Sequence, residues 1–176
     1  MQPEQFLLKL DLSNAFNLVS REAMLRAVRE LCPSIAAWVE YCYHCAHILY
    51  AGDHNKVASC MGVQQGDPLG PLLFSVVLHG FLKELEAQVP DLVLNLWFLD
   101  DGTIIGTKRQ LLEVMKVLEE NTLRGLHPNW SKSLVWSPLP NADFSGLPAV
   151  LPTQAGPVFL FWAPPLVIEW QSLPKQ

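Results

Sequence analysis

The chain carries little charge, and its excess charge has the opposite sign to that of most nucleic-acid-binding domains. Only 16% of its 176 residues are charged, against about a quarter in an ordinary soluble domain. Twelve basic residues stand against seventeen acidic ones, which gives a net charge of −5. Because autonomous nucleic-acid-binding domains are usually basic, this composition argues against such a module. It leaves room for a site that acts on nucleic acid through bound cations.

The features of a secreted or membrane protein are also missing. Four cysteines do not make a disulfide scaffold, and residues 1–4 begin neither a basic nor an apolar signal segment. The most apolar run, residues 156–168, holds three prolines and is shorter than the roughly 20 residues that span a bilayer. The sequence therefore predicts an intracellular protein with no membrane partner, and it leaves nucleus and cytoplasm open.

Apolar residues are abundant. They make up 50% of the chain, and the mean hydropathy is +0.20. A disordered chain is excluded, because disorder goes with low hydropathy and high net charge. A single domain of this length buries roughly 70% of its unfolded surface, which is enough for a core. The surplus of apolar residues indicates a surface that expects a partner or a further segment.

Hydrophobic periodicity predicts an α+β fold. A strand over residues 6–10 delivers Asp11 at its end, and a strand over residues 93–99 leads into a tight turn at residues 100–102 and a returning strand. Helical patterns lie between and after these strands. Short strands joined by tight turns favour an antiparallel sheet with helices on one face.

Local signals set the predicted helix boundaries. Ser20 and Thr107 precede helical patterns and are predicted N-caps. A helix is expected over residues 34–49, and the turn at residues 51–55 would close a hairpin if its flanks pair. The Asp-Pro pair at residues 67–68 is predicted as the N-cap and first residue of the next long helix.

Three carboxylates are the first candidates for chemistry. Asp11 ends one predicted strand, and Asp100 and Asp101 lie at the tip of the predicted hairpin. If the two strands are neighbours, Asp11 and Asp100 converge, and converging carboxylates bind hard cations such as Mg²⁺. Two such ions clamp the attacking and leaving oxygens of a phosphoryl transfer. The alternative is a solvated turn and a carboxylate that only caps a strand.

A loop rich in glycine and amide side chains precedes the long helix. Residues 62–74 read GVQQGDPLGPLLF. Glycines let the backbone approach a ligand closely, and a helix N-terminus favours anions. Gln65 offers donors and an acceptor to a base or a sugar. The alternative is that the glycines serve the turn alone.

Four segments, in this order, resemble the palm motifs of reverse transcriptases. Residues 10–17 (LDLSNAFN) are similar to the first motif, and residues 62–74 to the second, the Gln-Gly loop and helix. Residues 98–101 (FLDD) are similar to the aromatic-x-Asp-Asp box, and residues 125–132 (GLHPNWSK) to the motif that follows it. The long second motif is most similar to non-LTR retrotransposon and group-II-intron enzymes. The resemblance covers residues 6–133 and implies a ferredoxin-like polymerase palm.

The resemblance implies a two-metal site for nucleotidyl transfer. Asp11 and Asp100 would bind two Mg²⁺ ions, with Mn²⁺ as a substitute, and Asp101 would lie beside them. Lys132 would approach the leaving pyrophosphate as a proton donor. The alternative for Lys132 is a solvated lysine.

The same resemblance implies a nucleotide pocket. Phe16 would lie under the sugar of the incoming nucleotide and exclude a 2′-hydroxyl by its bulk, whereas Gln65 and Gly66 would line the nucleotide and template pocket. The alternative for Phe16 is a plain core aromatic. The implied partners are an RNA or DNA template with its primer, and deoxynucleoside triphosphates.

The resemblance divides the chain into two parts. Residues 1–140 would be the palm fragment, and residues 141–176 a Pro- and Trp-rich tail that is irregular or out of frame. Residues 161–168 can be written in allowed codons whose shifted frame reads Leu-Gly-Ala-Pro-Ile-Gly-Asp, and the resemblance implies a segment of this kind after the last palm motif. The fingers and thumb of the family would be largely missing. They would be the partners that the apolar surface expects.

The function expected from the sequence is template-directed deoxynucleotidyl transfer by the parent enzyme, with a weak or inactive isolated chain. One alternative is a catalytically dead or co-opted palm fragment that acts as a binding or interaction module. A second is another two-metal palm enzyme such as a nucleotide cyclase. A third is a small zinc module built on Cys42 and Cys45.

Overall fold

A five-stranded sheet forms the centre of the computed structural model, which describes residues 4–52, 55–156, 158–160 and 167–169. Its strands are β1 (Gln5–Asp11), β4 (Leu94–Phe98), β5 (Asp101–Thr107), β6 (Leu134–Ser137) and β7 (Thr153–Ala155). The order across the sheet is β4-β5-β1-β6-β7, and only the β6–β7 pair is parallel. Strand β1 therefore has a neighbour on each side.

Five helices and two small hairpins complete the described fold. The helices are α1 (Ala15–Leu18), α2 (Arg21–Leu31), α3 (Pro33–Tyr43), α4 (Gly70–Gln88) and α5 (Lys108–Glu120), with a 3-10 helix at Thr122–Arg124. The hairpins are β2 (His47–Ala51) with β3 (Asn55–Ser59), and β8 (Val158–Leu160) with β9 (Val167–Glu169). None of the described helices is long and apolar enough to cross a membrane.

Successive side chains of β1 point alternately into the core and to the other face of the sheet. Leu8 and Leu10 are fully buried, whereas Lys9 and Asp11 lie on the opposite, half-exposed face. The buried face packs against α4 and α5, whose Phe74, Phe81, Leu73, Leu111 and Leu118 are also fully buried. Each such side chain contributes about 1.5–3 kcal/mol relative to an exposed one. The predicted fold, a mostly antiparallel sheet with helices on one face, is confirmed.

Two of the three predicted N-caps, Ser20 and Thr107, are confirmed. The Ser20 hydroxyl accepts a hydrogen bond from the Ala23 amide at 3.3 Å. Thr107 and Gln110 form a reciprocal capping box at the start of α5, which satisfies amide groups that the helix leaves without partners.

The predicted helix over residues 34–49 is wrong at its C-terminal end. Helix α3 ends at Tyr43, and residues 47–51 form strand β2, which pairs with β3 from His47–Ser59 to Ala51–Asn55. Residues 48–51 are a short apolar run, and such a run does not distinguish helix from strand by periodicity. The hairpin expected around residues 51–55 is present and supplies the pairing partner.

Two turn predictions also need correction. Helix α4 begins at Gly70, with Pro71 in its first turn, so Asp67 is not its N-cap. Asp67 instead closes the preceding turn by accepting a hydrogen bond from the Leu69 amide at 2.8 Å. The hairpin turn after β4 consists of residues 99–100 rather than 100–102, because Asp101 already pairs with Phe98.

Part of the C-terminal segment joins the main sheet. Strand β7 pairs with β6 in the register Val135–Thr153 to Ser137–Ala155. Lys108 Nζ also ties residues 143–145 to the start of α5, at 2.7 Å from Asp143 Oδ2 and 2.9 Å from Ser145 Oγ. Residues 161–166, on which most of the reading-frame hypothesis depends, lie outside the described residues.

Candidate active site at the end of the central strand

The end of β1 is held between two loops from distant parts of the chain. On one side, the Leu12 amide donates to the carbonyl of Asp100 at 3.2 Å. On the other, the Ser13 amide donates to the carbonyl of His127 at 2.7 Å, and the Asn129 amide donates to the carbonyl of Asp11 at 2.8 Å. Three of the four predicted motifs therefore meet at this edge of the sheet.

The three candidate carboxylates lie around this strand end. Asp11 is the register partner of Asp101, so their side chains emerge on the same face of adjacent strands. Asp100 is in the turn next to them and is half-buried. The residue before it, Leu99, has a φ of 54°, a left-handed conformation that costs about 1–2 kcal/mol for a residue with a β-carbon. Backbone strain of this kind is concentrated at functional sites.

Like charges on directly opposed strand residues are destabilising. The Asp11–Asp101 pair therefore weakens the sheet unless a cation lies between or beside the two carboxylates. Carboxylate oxygens are the ligands that Mg²⁺ prefers, and it usually takes only one or two of them, together with waters and substrate phosphates. The residues present fit such an ion.

Across the described part of the chain, no group of three or more His, Cys, Asp or Glu side chains is arranged to hold a metal ion. The aspartates at this strand end are therefore not a complete protein cage. They are suited to sharing a cation with an oxygen-rich ligand. Cys42 and Cys45, the basis of the alternative zinc module, are both free thiols.

Ser133 holds the end of strand β1 to the last motif, and no sequence pattern singles it out. Its hydroxyl accepts a hydrogen bond from the Asp11 amide at 3.1 Å and donates to the carbonyl of Asn129 at 2.8 Å. Ser133 is only 1% exposed. The neighbouring Lys132 is exposed on the turn that Asn129 closes. The position of the Lys132 backbone is thus tied to Asp11.

The second predicted group, Phe16 with the Gln65–Gly66 loop, lies on α1 and its surroundings. Phe16 is half-buried and stacks on Phe74 of α4, with ring centroids 4.8 Å apart. Its carbonyl accepts a hydrogen bond from the Val63 amide at 2.8 Å. Gln65 and Gly66 are exposed at the tip of the loop. The short segment from Asp11 to Phe16 links this group to the carboxylates.

Two glycines bring the loops against α1. Gly62 has a φ of 68°, and a β-carbon there would lie 2.5 Å from the carbonyl carbon of Asn17. Gly125 has a φ of 80°, and a β-carbon there would lie 2.6 Å from the carbonyl carbon of Leu18. The Gln65 loop (residues 62–69) and the last motif (residues 125–132) therefore each begin at a glycine, and no larger residue fits at either position. Glycine at these two positions is a packing requirement.

The chain belongs to the reverse transcriptase family. A sequence model of that family, described as reverse transcriptase (RNA-dependent DNA polymerase), matches residues 1–149. This match confirms the resemblance seen in the four motifs and accounts for the order in which they occur along the chain.

Two curated relatives are retrotransposon proteins. One is the Pol polyprotein of the type-1 retrotransposable element R2 of Popillia japonica, 35% identical over 88 residues, or 46% of this chain and 14% of the relative. The other is the Pol polyprotein of the type-2 element R2DM of Drosophila melanogaster, 29% identical over 139 residues, or 72% of this chain and 13% of the relative. These matches agree with the non-LTR type expected from residues 62–74. The chain spans about a seventh of the length of these relatives.

Telomerases share the fold. The telomerase of Candida albicans, solved in complex with a fragment of telomeric RNA, aligns with a TM-score of 0.63 over 91% of this chain and 29% of that one, at 14% identity. Apo telomerase of Candida tropicalis aligns with a TM-score of 0.62 over 78% of this chain and 29% of that one, also at 14% identity. At this identity the likeness establishes the fold alone.

Proposed function

We propose that the chain forms the catalytic palm of the reverse transcriptase of a non-LTR retroelement. Its reaction would be template-directed addition of deoxynucleotides to the 3′-hydroxyl of a primer. The observation that carries the proposal is the pairing of Asp11 with Asp101, with Asp100 in the adjacent turn. This arrangement sets two carboxylates directly opposite each other, which a purely structural sheet would avoid, and adds a third in the adjacent turn.

In this proposal Asp11 and Asp100 hold two Mg²⁺ ions, with Mn²⁺ as a substitute, and Asp101 adds negative charge beside them. The ions would supply charge neutralisation at the attacking oxygen, the phosphate and the leaving group. The protein contributes positioning, which is most of what phosphoryl transfer requires. Strand β1 fixes Asp11 by hydrogen bonds on both sides, and the hydrogen bond from the Leu12 amide to the carbonyl of Asp100 holds the turn that carries Asp100.

Lys132 is proposed to serve the leaving group. The bond between the α-phosphorus and the bridging oxygen breaks as the primer oxygen attacks, and negative charge develops on the pyrophosphate. An ammonium group nearby stabilises that charge and offers a proton. Lys132 is exposed on a turn that is hydrogen-bonded to the Asp11 segment, so it suits this role better than a lysine on an unconnected loop.

Phe16, Gln65 and Gly66 are proposed to form the nucleotide pocket. Phe16 is half-buried and fixed by its stacking on Phe74, so its ring is a rigid wall of the kind that excludes a 2′-hydroxyl. The exposed Gln65 amide and the backbone at Gly66 are available to a base or a sugar.

The remaining parts of a working polymerase belong to the proposal as partners. They are a primed RNA or DNA template, deoxynucleoside triphosphates, and fingers and thumb segments of a longer polypeptide. We propose an intracellular site of action, as for any enzyme that needs these substrates. Since the chain spans about a seventh of its retrotransposon relatives, we expect the isolated chain to extend primers weakly or not at all.

Calorimetric titration of the 176-residue chain with dTTP, in the presence and absence of Mg²⁺, tests this function. We expect Mg²⁺-dependent nucleotide binding that Asp100→Asn abolishes. Asp91→Asn is the matched control, because exposed Asp91 precedes β4 at the end of that strand opposite to the catalytic turn. Absence of nucleotide binding, or binding that is indifferent to Asp100→Asn, would contradict the proposal. If the chain binds no nucleotide but does bind another protein, the alternative function of an interaction module would be favoured.

A primer-extension assay on a primed RNA template tests the expected incompleteness of the chain. We expect little or no product from the wild-type chain. Robust extension that Asp100→Asn abolishes would show that the isolated palm is sufficient.

A further inference from the structure

A buried arginine donates a hydrogen bond to the start of the Gln65 loop. Arg21, the first residue of α2, is 7% exposed. Its Nε donates to the carbonyl of Gly62 at 3.0 Å, and its Nη1 donates to the carbonyls of Ser59 at 2.7 Å and Cys45 at 3.3 Å. Nη2 donates to the Ser59 hydroxyl at 2.9 Å. The guanidinium thereby joins the start of the loop to the base of the β2–β3 hairpin.

Tyr43, the last residue of α3, connects this arginine to the turn of the loop. Its ring lies under the guanidinium, 5.3 Å from ring centroid to the Arg21 carbon, and is 2% exposed. Its hydroxyl accepts a hydrogen bond from the Gln64 amide at 3.1 Å and donates one to Asp67 Oδ2. Burial and the Asp67 carboxylate raise the pKa of Tyr43 to about 12, so the hydroxyl keeps its proton for donation at neutral pH.

Asp67 closes the turn that presents Gln65 and Gly66. Its Oδ1 accepts a hydrogen bond from the Leu69 amide at 2.8 Å, and its own amide donates to the carbonyl of Gln64 at 3.1 Å. Both ends of the Gln64–Asp67 turn are therefore fixed by Tyr43 through one hydroxyl. The tip between them, Gln65 and Gly66, is exposed.

We propose that Arg21, Tyr43 and Asp67 are positioning residues that hold the Gln64–Asp67 turn in its nucleotide-binding shape. The proposal rests on the function proposed above. None of the three side chains needs to touch the nucleotide. A turn ordered in advance spares the entropy of ordering it on binding, and that saving appears as affinity.

The cluster of Arg21, Tyr43 and Asp67 and the backbone hydrogen bonds to the start of the loop act at different positions. The loop already has backbone hydrogen bonds to α1 and its C-cap, from the Val63 amide to the carbonyl of Phe16 at 2.8 Å and from the Gly62 amide to the carbonyl of Val19 at 2.9 Å. Those bonds hold the entry to the loop. The buried cluster adds control of residues 64–67, which are the residues proposed to meet the ligand.

Tyr43→Phe tests the proposal, because it removes one oxygen and keeps the ring under Arg21. We expect the amides of Gln64 and Leu69 to exchange with deuterium about tenfold faster, as for the loss of a buried hydrogen bond. The exchange rates of the Gly62 and Val63 amides, which bond to α1 and its C-cap, should be unchanged. Tyr41→Phe is the matched control, since Tyr41 is on the same helix, 73% exposed and stacked on Trp38.

The affinity of the same variants for dTTP with Mg²⁺ tests the link to function. We expect Tyr43→Phe to weaken the affinity about five- to tenfold, with Tyr41→Phe equal to the wild type. Unchanged exchange at Gln64 and Leu69 would overturn the positioning role, and so would faster exchange with unchanged affinity. If the wild-type chain binds no dTTP, the proposed function fails, and the exchange pattern alone decides whether the cluster fixes the turn.

Arg21→Lys provides a second variant that keeps the charge and loses the planar fork. We expect faster exchange at the Gln64 and Leu69 amides and weaker dTTP affinity, as for Tyr43→Phe. Arg26→Lys is its control, because exposed Arg26 pairs with Glu22 on the surface of the same helix. Equal exchange and affinity in the two lysine variants would contradict a role for Arg21.

Discussion

A methyl group added at Gly62 should lower the stability of the chain far more than one added at Gly66. Gly62 and Gly66 lie in the same loop and have similar left-handed backbones, with φ of 68° and 88°. A β-carbon at Gly62 would lie 2.5 Å from the carbonyl carbon of Asn17, whereas one at Gly66 would have no neighbour within 4 Å. The pair Gly62→Ala and Gly66→Ala therefore separates backbone strain from close packing.

The expected magnitudes follow from these surroundings. Both variants put a β-carbon into the left-handed region, at a cost of about 1–2 kcal/mol. Both also restrict the unfolded chain equally, so that contribution cancels in the comparison. Only Gly62→Ala must also displace the backbone of Asn17, which adds about 1–3 kcal/mol, as other overpacked sites do.

Thermal unfolding followed by circular dichroism measures the difference. For a domain of this size each kcal/mol shifts the midpoint by about 2–4 °C. We expect Gly66→Ala to lower the midpoint by about 4 °C and Gly62→Ala by about 10 °C. Equal shifts would show that the loop does not lie against α1, and the positions assigned to the Gln65 loop would then be wrong.

Two further predictions concern single hydroxyl groups. Ser133→Ala should destabilise the chain by about 1–3 kcal/mol, since it leaves the Asp11 amide without its acceptor. Ser131→Ala, on the exposed part of the same turn, is the control and should have little effect. Equal shifts of the thermal unfolding midpoint in the two variants would refute this prediction. The pKa of Tyr43 lies near 12, above its ordinary value of 10.0, so its stabilisation is complete below pH 10 and lost as the pH rises towards 12. Tyr43→Phe should therefore remove both the late phase of the tyrosinate absorbance titration and this loss of stability, and persistence of either would contradict the assignment.

Much of the sheet was predictable because its signals are local. Alternating residues in β1 put Leu8 and Leu10 inside and Asp11 outside, and the capping residues Ser20 and Thr107 mark the helices they begin. The register that sets Asp11 opposite Asp101 was not predictable in this way. It depends on pairing across 90 residues of chain, and a shift by one residue would turn Asp101 to the other face.

The supporting residues were hidden for a different reason. Along the chain, Ser133 is 122 residues from Asp11, whose amide donates to it, and Tyr43 is 24 residues from Asp67. Neither has a pattern in its own neighbourhood that indicates its partner. Arg21 did offer one signal, because a cation in the first turn of a helix opposes the helix dipole. Its burial beneath the loop explains why an arginine occupies that position.

The most direct test of the central claim is to locate a bound cation by nuclear magnetic resonance. Trace Mn²⁺ added to the chain broadens the amide signals nearest to its site. We predict that broadening is centred on Leu12, Asp101 and Gly102, that Asp11→Asn abolishes it, and that Asp91→Asn leaves it unchanged. Broadening centred elsewhere, or a pattern that survives Asp11→Asn, would contradict the claim that this strand end is a metal-dependent nucleotidyl-transfer site.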